Sequence, residues 1–151
     1  AEFGTDRQAV GPYGDLPFEK AVEVRRMVRY GAAAGADLIL IETMSDTYEI
    51  KAAVLASKEN CDLPICVTMT FDEDGKLLTG ATVEAAALMC EGLGVDAIGF
   101  NCGLGPVQVG KLFPQMLAAT SLPLIINPNA GLPVQRDGKT CLMSAQRNMR
   151  S

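Results

Sequence analysis

A carboxamide and a thiol stand side by side at Asn101-Cys102, and a glycine-rich stretch, Gly103-Leu104-Gly105-Pro106, follows at once. A thiolate is a nucleophile and a ligand for soft metals. A carboxamide both donates and accepts hydrogen bonds. Upstream, Val95-Asp96-Ala97-Ile98 reads as an apolar strand, and downstream Val107 to Ala119 reads as a helix. The pair therefore closes a strand and opens a strand-to-helix loop, where α/β enzymes keep their chemistry. The glycines let the backbone bend there without a Cβ penalty. A buried cysteine beside a turn is the alternative, and position alone does not choose between the two. Other polar groups also close apolar runs. Glu42 ends Asp37-Leu38-Ile39-Leu40-Ile41, Thr68 and Thr70 lie at the end of Ile65 to Thr70, and Asn127 and Asn129 follow Leu122 to Ile126. A carboxylate such as Glu42 can pair with a substrate ammonium or with a Lys or Arg of a neighbouring loop.

The composition removes several chemistries. There is no histidine, which excludes Ser-His-Asp and Cys-His catalysis and any His-ligated metal within this chain. The five cysteines (Cys61, Cys66, Cys90, Cys102 and Cys141) form an odd, scattered set with no C-x-x-C. Such usage is that of reduced thiols, and the expected location is cytoplasmic. Cys66 and Cys90 sit on apolar faces and read as core, whereas Cys61 and Cys141 read as loop residues. The net charge is −5 and no basic run occurs, so nucleic acid is not an expected partner. No apolar run is long enough to span a membrane. Asp72 and Asp74 lack the twelve-residue calcium-loop pattern and read as a solvated turn. Gly103-Leu104-Gly105-Pro106 lacks the third glycine of a dinucleotide-binding turn, and its proline removes a donor.

The elements that position these residues follow from the hydrophobic pattern. The chain has 151 residues, enough for one domain with a real core. Hydrophobic residues make up 48% and aromatics 5%, so the core is aliphatic, as in helices packed on a parallel sheet. Residues 1–10 stand outside the fold, with Glu2-Phe3-Gly4-Thr5 resembling a cloning-derived tetrapeptide. Pro17 suits the first turn of a helix whose inner face includes Phe18, Ala21, Val22, Val28 and Ala32, and Gly35 stops it. Asp37 to Glu42 is a continuous apolar strand. Asp46 and Glu49 have capping-box spacing for a second helix through Ser57. Ile65 to Thr70 is a strand, and Thr82 caps a helix from Val83 to Gly92. Val95 to Asn101 is a strand, Val107 to Ala119 a helix with a kink or break expected at Pro114, and Leu122 to Ile126 the last strand.

This α-β-α-β-α-β-α-β order implies right-handed parallel crossovers. A weak internal repeat supports it. Gly35-x-Asp37 recurs as Gly94-x-Asp96, and Leu63-Pro64 recurs as Leu122-Pro123, each 59 residues on. In that register Glu42 faces Asn101 and Thr43 faces Cys102, which puts all the polar strand ends on one rim. The expected fold is α/β: a partial (β/α)8 barrel of about four strand–helix units, since a whole barrel takes about 250 residues. An open four-stranded sheet is the geometric alternative. Residues 11–133 form this part, and 134–151 are expected to be an irregular tail.

Four stretches carry a resemblance. Ile41-Glu42-Thr43-Met44-Ser45-Asp46, Met69-Thr70-Phe71-Asp72-Glu73-Asp74-Gly75, Gly99 to Pro106, and Pro128-Asn129-Ala130-Gly131-Leu132-Pro133 resemble, in that order, the homocysteine S-methyltransferase family. The resemblance covers roughly Gly11 to Pro133 and implies a (β/α)8 barrel holding zinc through three cysteine thiolates. It implies that Cys102 is the first zinc ligand, and that Glu42 binds the amino group of homocysteine. It also implies that Asn101 and Asn129 lie at the substrate site; the other role for Asn129 is to cap a turn. Zinc with thiolate ligands takes a thiol in its open position and lowers its pKa, and the thiolate then attacks an activated methyl group to give methionine. The methyl-donor module lies outside this barrel, and in cobalamin-dependent members cobalamin reaches it from another domain.

The departures shape the expectation. The family's other two zinc ligands are adjacent cysteines in a Gly-Gly-Cys-Cys-Gly motif, and this sequence has no Cys-Cys pair. The opening barrel strands are also missing, and Met143 to Ser151 matches no family motif. A piece of a longer barrel accounts for all three. It would carry one of three metal ligands, bind zinc poorly, be silent alone and associate through its open edge. A non-catalytic half-barrel that assembles with itself or a missing half is the second reading. A pterin-binding barrel is the third, and it lacks its phosphate and pterin motifs here.

Overall fold

The structure, a computed structural model, describes residues 24–129, 133–136 and 139–142. Its elements are α1 (Arg25–Ala33), β1 (Ile39–Met44), α2 (Thr47–Lys58), β2 (Ile65–Met69) and α3 (Val83–Gly92). They continue with β3 (Ala97–Cys102), α4 (Pro106–Ala119), β4 (Leu124–Pro128), β5 (Pro133–Arg136) and β6 (Lys139–Leu142). Strands β1 to β4 form one parallel sheet in sequential order. This is the expected α/β arrangement of four strands with crossover helices, a partial barrel. The start of the first predicted helix, at Pro17, lies outside the described residues.

Local chemistry sets the helix ends. Gly35, at φ 85°, follows α1 in the left-handed conformation that glycine adopts freely. Asp46 caps α2, its Oδ1 accepting from the Tyr48 and Glu49 amides at 2.6 and 3.0 Å. Thr82 caps α3, its Oγ1 accepting from the Ala85 amide at 3.3 Å. Asp72 folds its own turn: its Oδ1 accepts from the Asp74 and Lys76 amides at 3.0 and 2.8 Å, and Gly75 takes φ 74°. Helix α4 runs through Pro114 without the break that was one expectation there. Pro114 is exposed, so the Gly110 carbonyl left without its helical donor faces water, while Val109, Leu112 and Met116 anchor the opposite face.

Three strands start two residues later than the apolar runs suggest: β1 at Ile39, β3 at Ala97 and β4 at Leu124. Ahead of β3, the Asp96 amide already donates to the Ile65 carbonyl at 2.8 Å. Asp96 accepts the Ile65 amide on its Oδ2 at 2.8 Å, so it ties the start of β2 to β3 through its side chain. A second difference lies at the C-terminal end. Pro133–Arg136 and Lys139–Leu142 pair as an antiparallel hairpin that begins at the last residue of the expected barrel part and runs into the stretch expected to be irregular, and Cys141, expected in a loop, stands in β6. The sequence between these strands, Asp137-Gly138, is a favoured two-residue hairpin connection.

The core lies between sheet and helices. Ile39, Ile41, Ile65, Val67, Met69, Ile98 and Phe100 from the strands cluster with Ile50, Val54, Val83, Ala86, Ala87, Val109, Leu112 and Met116 from the helices. Cross-strand register places Ile41, Val67, Ile98 and Leu124 in one row. Gly99 lies beside Ile125, and any Cβ at 99 would collide with the Ile125 carbonyl. The 59-residue repeat is structural as well. It carries β2 onto β4 at both ends, Thr47 at the start of α2 onto Pro106 at the start of α4, and Gly35 onto Gly94, which has φ 69°.

Candidate functional site

All four strands end on the same edge, and the polar residues singled out by type and spacing collect there. In β1 the ladder shifts: Ile41 pairs with Val67 and Met44 with Met69, so Glu42 and Thr43 together oppose the single residue Thr68. Such a bulge re-aims a side chain. Thr43 has φ 60°, and its Oγ1 accepts a hydrogen bond from Asn101 Nδ2 at 2.5 Å, reaching past β2 to β3. Glu42, half-buried, precedes it in the bulge.

Asn101 is 5% exposed, and its Oδ1 has no hydrogen-bond partner. The same holds for Thr68 Oγ1, whose residue is 2% exposed. Thr68 pairs with Gly99, and Asn101 is two residues further along β3, so both point from one face of the sheet. Buried polar atoms are normally paired, and an orphan one marks a place for a further group.

Cys102 ends β3 beside Pro128 and is exposed, at φ 53°. Its carbonyl accepts from the Leu104 amide at 2.6 Å, which closes a tight turn around Gly103 at φ 51°. Gly103 packs over Thr70, and a Cβ there would run into Thr70 Oγ1 and approach the Phe71 carbonyl. The Asn129 amide donates to the Leu104 carbonyl at 3.1 Å, fixing the end of β4 to the same glycine turn, while the Asn129 side chain is exposed. The Thr70 amide donates to the Met44 carbonyl at 2.9 Å. Glu42, Thr70, Asn101, Cys102 and Asn129 therefore share one rim, as their spacing implies.

The thiols differ in environment. Burial pushes the Cys90 thiol up to about 12. Burial, then the charge of Asp96, raises Cys66. Both are poor nucleophiles and poor ligands near neutrality. Cys66 is half-buried rather than fully in the core. Of Cys61, Cys66, Cys90 and Cys102, Cys102 is the exposed one. Beside the rim, burial and then the Asp46 charge push Glu49 up to about 7.

Zinc needs at least three protein ligands. Among the described residues no group of three or more His, Cys, Asp or Glu side chains converges. Those residues alone do not make a zinc centre; Cys102 offers one thiolate donor. Among the described residues, too, no helix is long and apolar enough to cross a membrane.

Sequence reasoning placed Thr68 or Thr70 on the rim and Thr43 opposite Cys102, but gave neither Thr43 nor the buried Thr68 a role. The signal for Thr43 was present: the 59-residue register sets it opposite Cys102. A positive φ at a β-branched residue is not written in any local pattern.

The chain matches the family model for homocysteine S-methyltransferase over residues 5–150. That match takes in most of both ends that the motif resemblance, from Gly11 to Pro133, left out. It is 38% identical over 105 residues to the methionine synthase of Mycobacterium leprae (strain TN), covering 66% of this chain. The methionine synthase of Mycobacterium tuberculosis (strain ATCC 25618 / H37Rv) gives the same 38% over 105 residues. The matched part is 9% of each of these relatives, so the chain spans a small share of their length. The homocysteine methyltransferase MmuM from Escherichia coli, in its metallated form, superposes with a TM-score of 0.70 at 25% identity, covering 82% of this chain and 48% of that one. Its apo form, at 24% identity and a TM-score of 0.68, shares the fold over 46% of its length.

Proposed function

Since the chain belongs to the homocysteine S-methyltransferase family, we propose that it supplies the homocysteine-binding rim of a barrel that methylates homocysteine to methionine. The observation that carries this reading is the convergence of Glu42, Asn101 and Cys102 at the carboxyl ends of β1 and β3. Glu42 pairs with the substrate ammonium. The unpaired, buried Asn101 Oδ1 accepts from a substrate donor, and Asn129 lines the same edge. Cys102 contributes one thiolate toward zinc, and the other two thiolates come from outside the described residues. Zinc held in that way lowers the pKa of a thiol in its open position. The methyl donor arrives from a separate module, carrying cobalamin in enzymes of that type, and the reaction takes place in the cytoplasm.

The test is Glu42→Gln in a zinc-loaded barrel containing this segment. A charge-assisted contact is worth about 1.5–3 kcal/mol, so homocysteine affinity should fall roughly tenfold or more. Unchanged affinity by titration calorimetry removes Glu42 from the site.

A second reading is a half-barrel whose role is assembly. It is favoured by the ends of the sheet: β1 and β4 each have one ladder partner among the described strands, and Ile126 of β4 is 46% exposed. Metal analysis with size-exclusion chromatography of the purified chain tests this second reading. Little zinc and a self-associated species is the expected result. A monomer with one tightly held zinc that methylates homocysteine would refute the half-barrel view and leave the family membership intact.

A further inference from the structure

We propose that Thr43 is a positioning residue for Cys102, acting through the side chain of Asn101. The inference rests on the reading of Cys102 as the thiolate of the rim. Among the described residues, Thr43 and Cys102 are the two non-glycine residues with positive φ, at 60° and 53°. They are also 59 residues apart, the offset of the internal repeat, so they hold equivalent positions in the same twisted conformation, Thr43 next to last in β1 and Cys102 last in β3. For a β-branched residue that conformation is an outlier, and such strain persists where the surroundings over-determine it. In the second unit the twist turns a thiol toward solvent. In the first it turns a hydroxyl across β2 onto Asn101, the residue that precedes the thiol.

The bond fixes which way the Asn101 amide faces. Nδ2 is engaged by Thr43, so Oδ1 points away into the buried space where it has no partner. It also holds one side of the Cys102 peptide. The other side is held by the Leu104 amide on the Cys102 carbonyl. Between these two contacts the Cys102 backbone is held at φ 53°. Without the Thr43 hydroxyl, the Asn101 side chain loses the one partner it has and the Cys102 backbone can leave its strained well.

A merely structural Thr43 predicts something different. Glycine adopts φ 60° freely, so Thr43→Gly relieves strain while removing the hydroxyl. Thr43→Ser keeps the hydroxyl, and Thr43→Val keeps the shape without it. The readouts on the 151-residue chain are the exchange of the Asn101 side-chain amide protons, the order parameter of the Cys102 amide by 15N relaxation, and the melting temperature. Parent and Thr43→Ser should both show a rigid Cys102, near an order parameter of about 0.85. Thr43→Gly should melt no lower than the parent, yet exchange its Asn101 amide roughly tenfold faster and drop Cys102 below about 0.6. Thr43→Val should repeat the loss at Cys102, and if it does not fold, Thr43→Gly decides alone. A rigid Cys102 in the glycine variant overturns the proposal, as does a serine variant as loose as the glycine one. Neither zinc nor homocysteine is present in these measurements. The functional reading can therefore fail by calorimetry while this one stands, and the reverse.

Discussion

Asp46 and Glu49 share the first turn of α2, and their different fates follow from what each oxygen touches. Asp46, 3% exposed, spends its carboxylate on two backbone amides and stays with the positive end of the helix. Glu49 is half-buried beside that charge and is raised from 4.5 to about 7. A carboxyl whose folded pKa exceeds its unfolded one binds its proton more tightly when folded. Its neutral form is tolerated below pH 4.5, and stability falls as pH climbs from 4.5 to about 7. Glu49→Gln should therefore melt higher than the parent at pH 8 and about equal to it at pH 4, with solvent screening keeping the gap to a few degrees; equal gaps at both pH values, followed by circular dichroism, would remove Glu49 as the cause. At this scale the sequence indicated which strand ends carry Glu42 and Cys102, and the strands place both on one rim. Cys102 and Glu42 are visible because a thiol and a carboxylate are rare at the ends of apolar runs. Thr43 could be set opposite Cys102 by the 59-residue register, but its positive φ and its bond to Asn101, 58 residues away, are written in no local pattern.

Among the elements, boundaries were less legible than existence. All four parallel strands and the helices between them follow from continuous apolar runs and helical spacing. The starts of three strands do not; β1, for one, begins where the Ile39 amide meets the Pro64 carbonyl at 2.8 Å. Pro114 was misleading for a related reason: a proline on a solvent face leaves a carbonyl that water can satisfy. Caps behave as their residue types say, so Asp46→Ala should cost about 0.5–2 kcal/mol in urea unfolding, through the two lost amide contacts. The closest constraint on the sheet is Gly99. Its Cβ position is taken by the Ile125 carbonyl, which no rotamer change can move. Gly99→Ala should force β4 away from β3 and destabilise the chain by about 3 kcal/mol or more, with the β4 amides losing hydrogen-exchange protection first. Protection of Leu124 to Ile126 equal to that of the parent would show that the strands can absorb the methyl group.

For the whole molecule, the sequence conveyed that the chain corresponds to part of a larger circle of strands, and the solved relatives agree, this chain covering 46% and 48% of their length. The C-terminal hairpin, separate from the main sheet, was missed although Asp137-Gly138 between its strands is a hairpin signal in the sequence. An open parallel sheet also has unpaired backbone at each end. Dilution of the purified chain over a hundredfold range should shift its elution volume toward the monomer; an elution volume independent of concentration would mean that its edges are already satisfied. The 59-residue repeat leads further. Its two units share the end of the even strand, the helix start and a positive-φ residue at the close of the odd strand, and differ in what that residue is, threonine in one and cysteine in the other. They are thus interchangeable parts, in the sense an engineer gives the phrase. A chimaera made of the second unit twice should still stack four strands in line, and would present two thiols on one rim where the natural chain presents one.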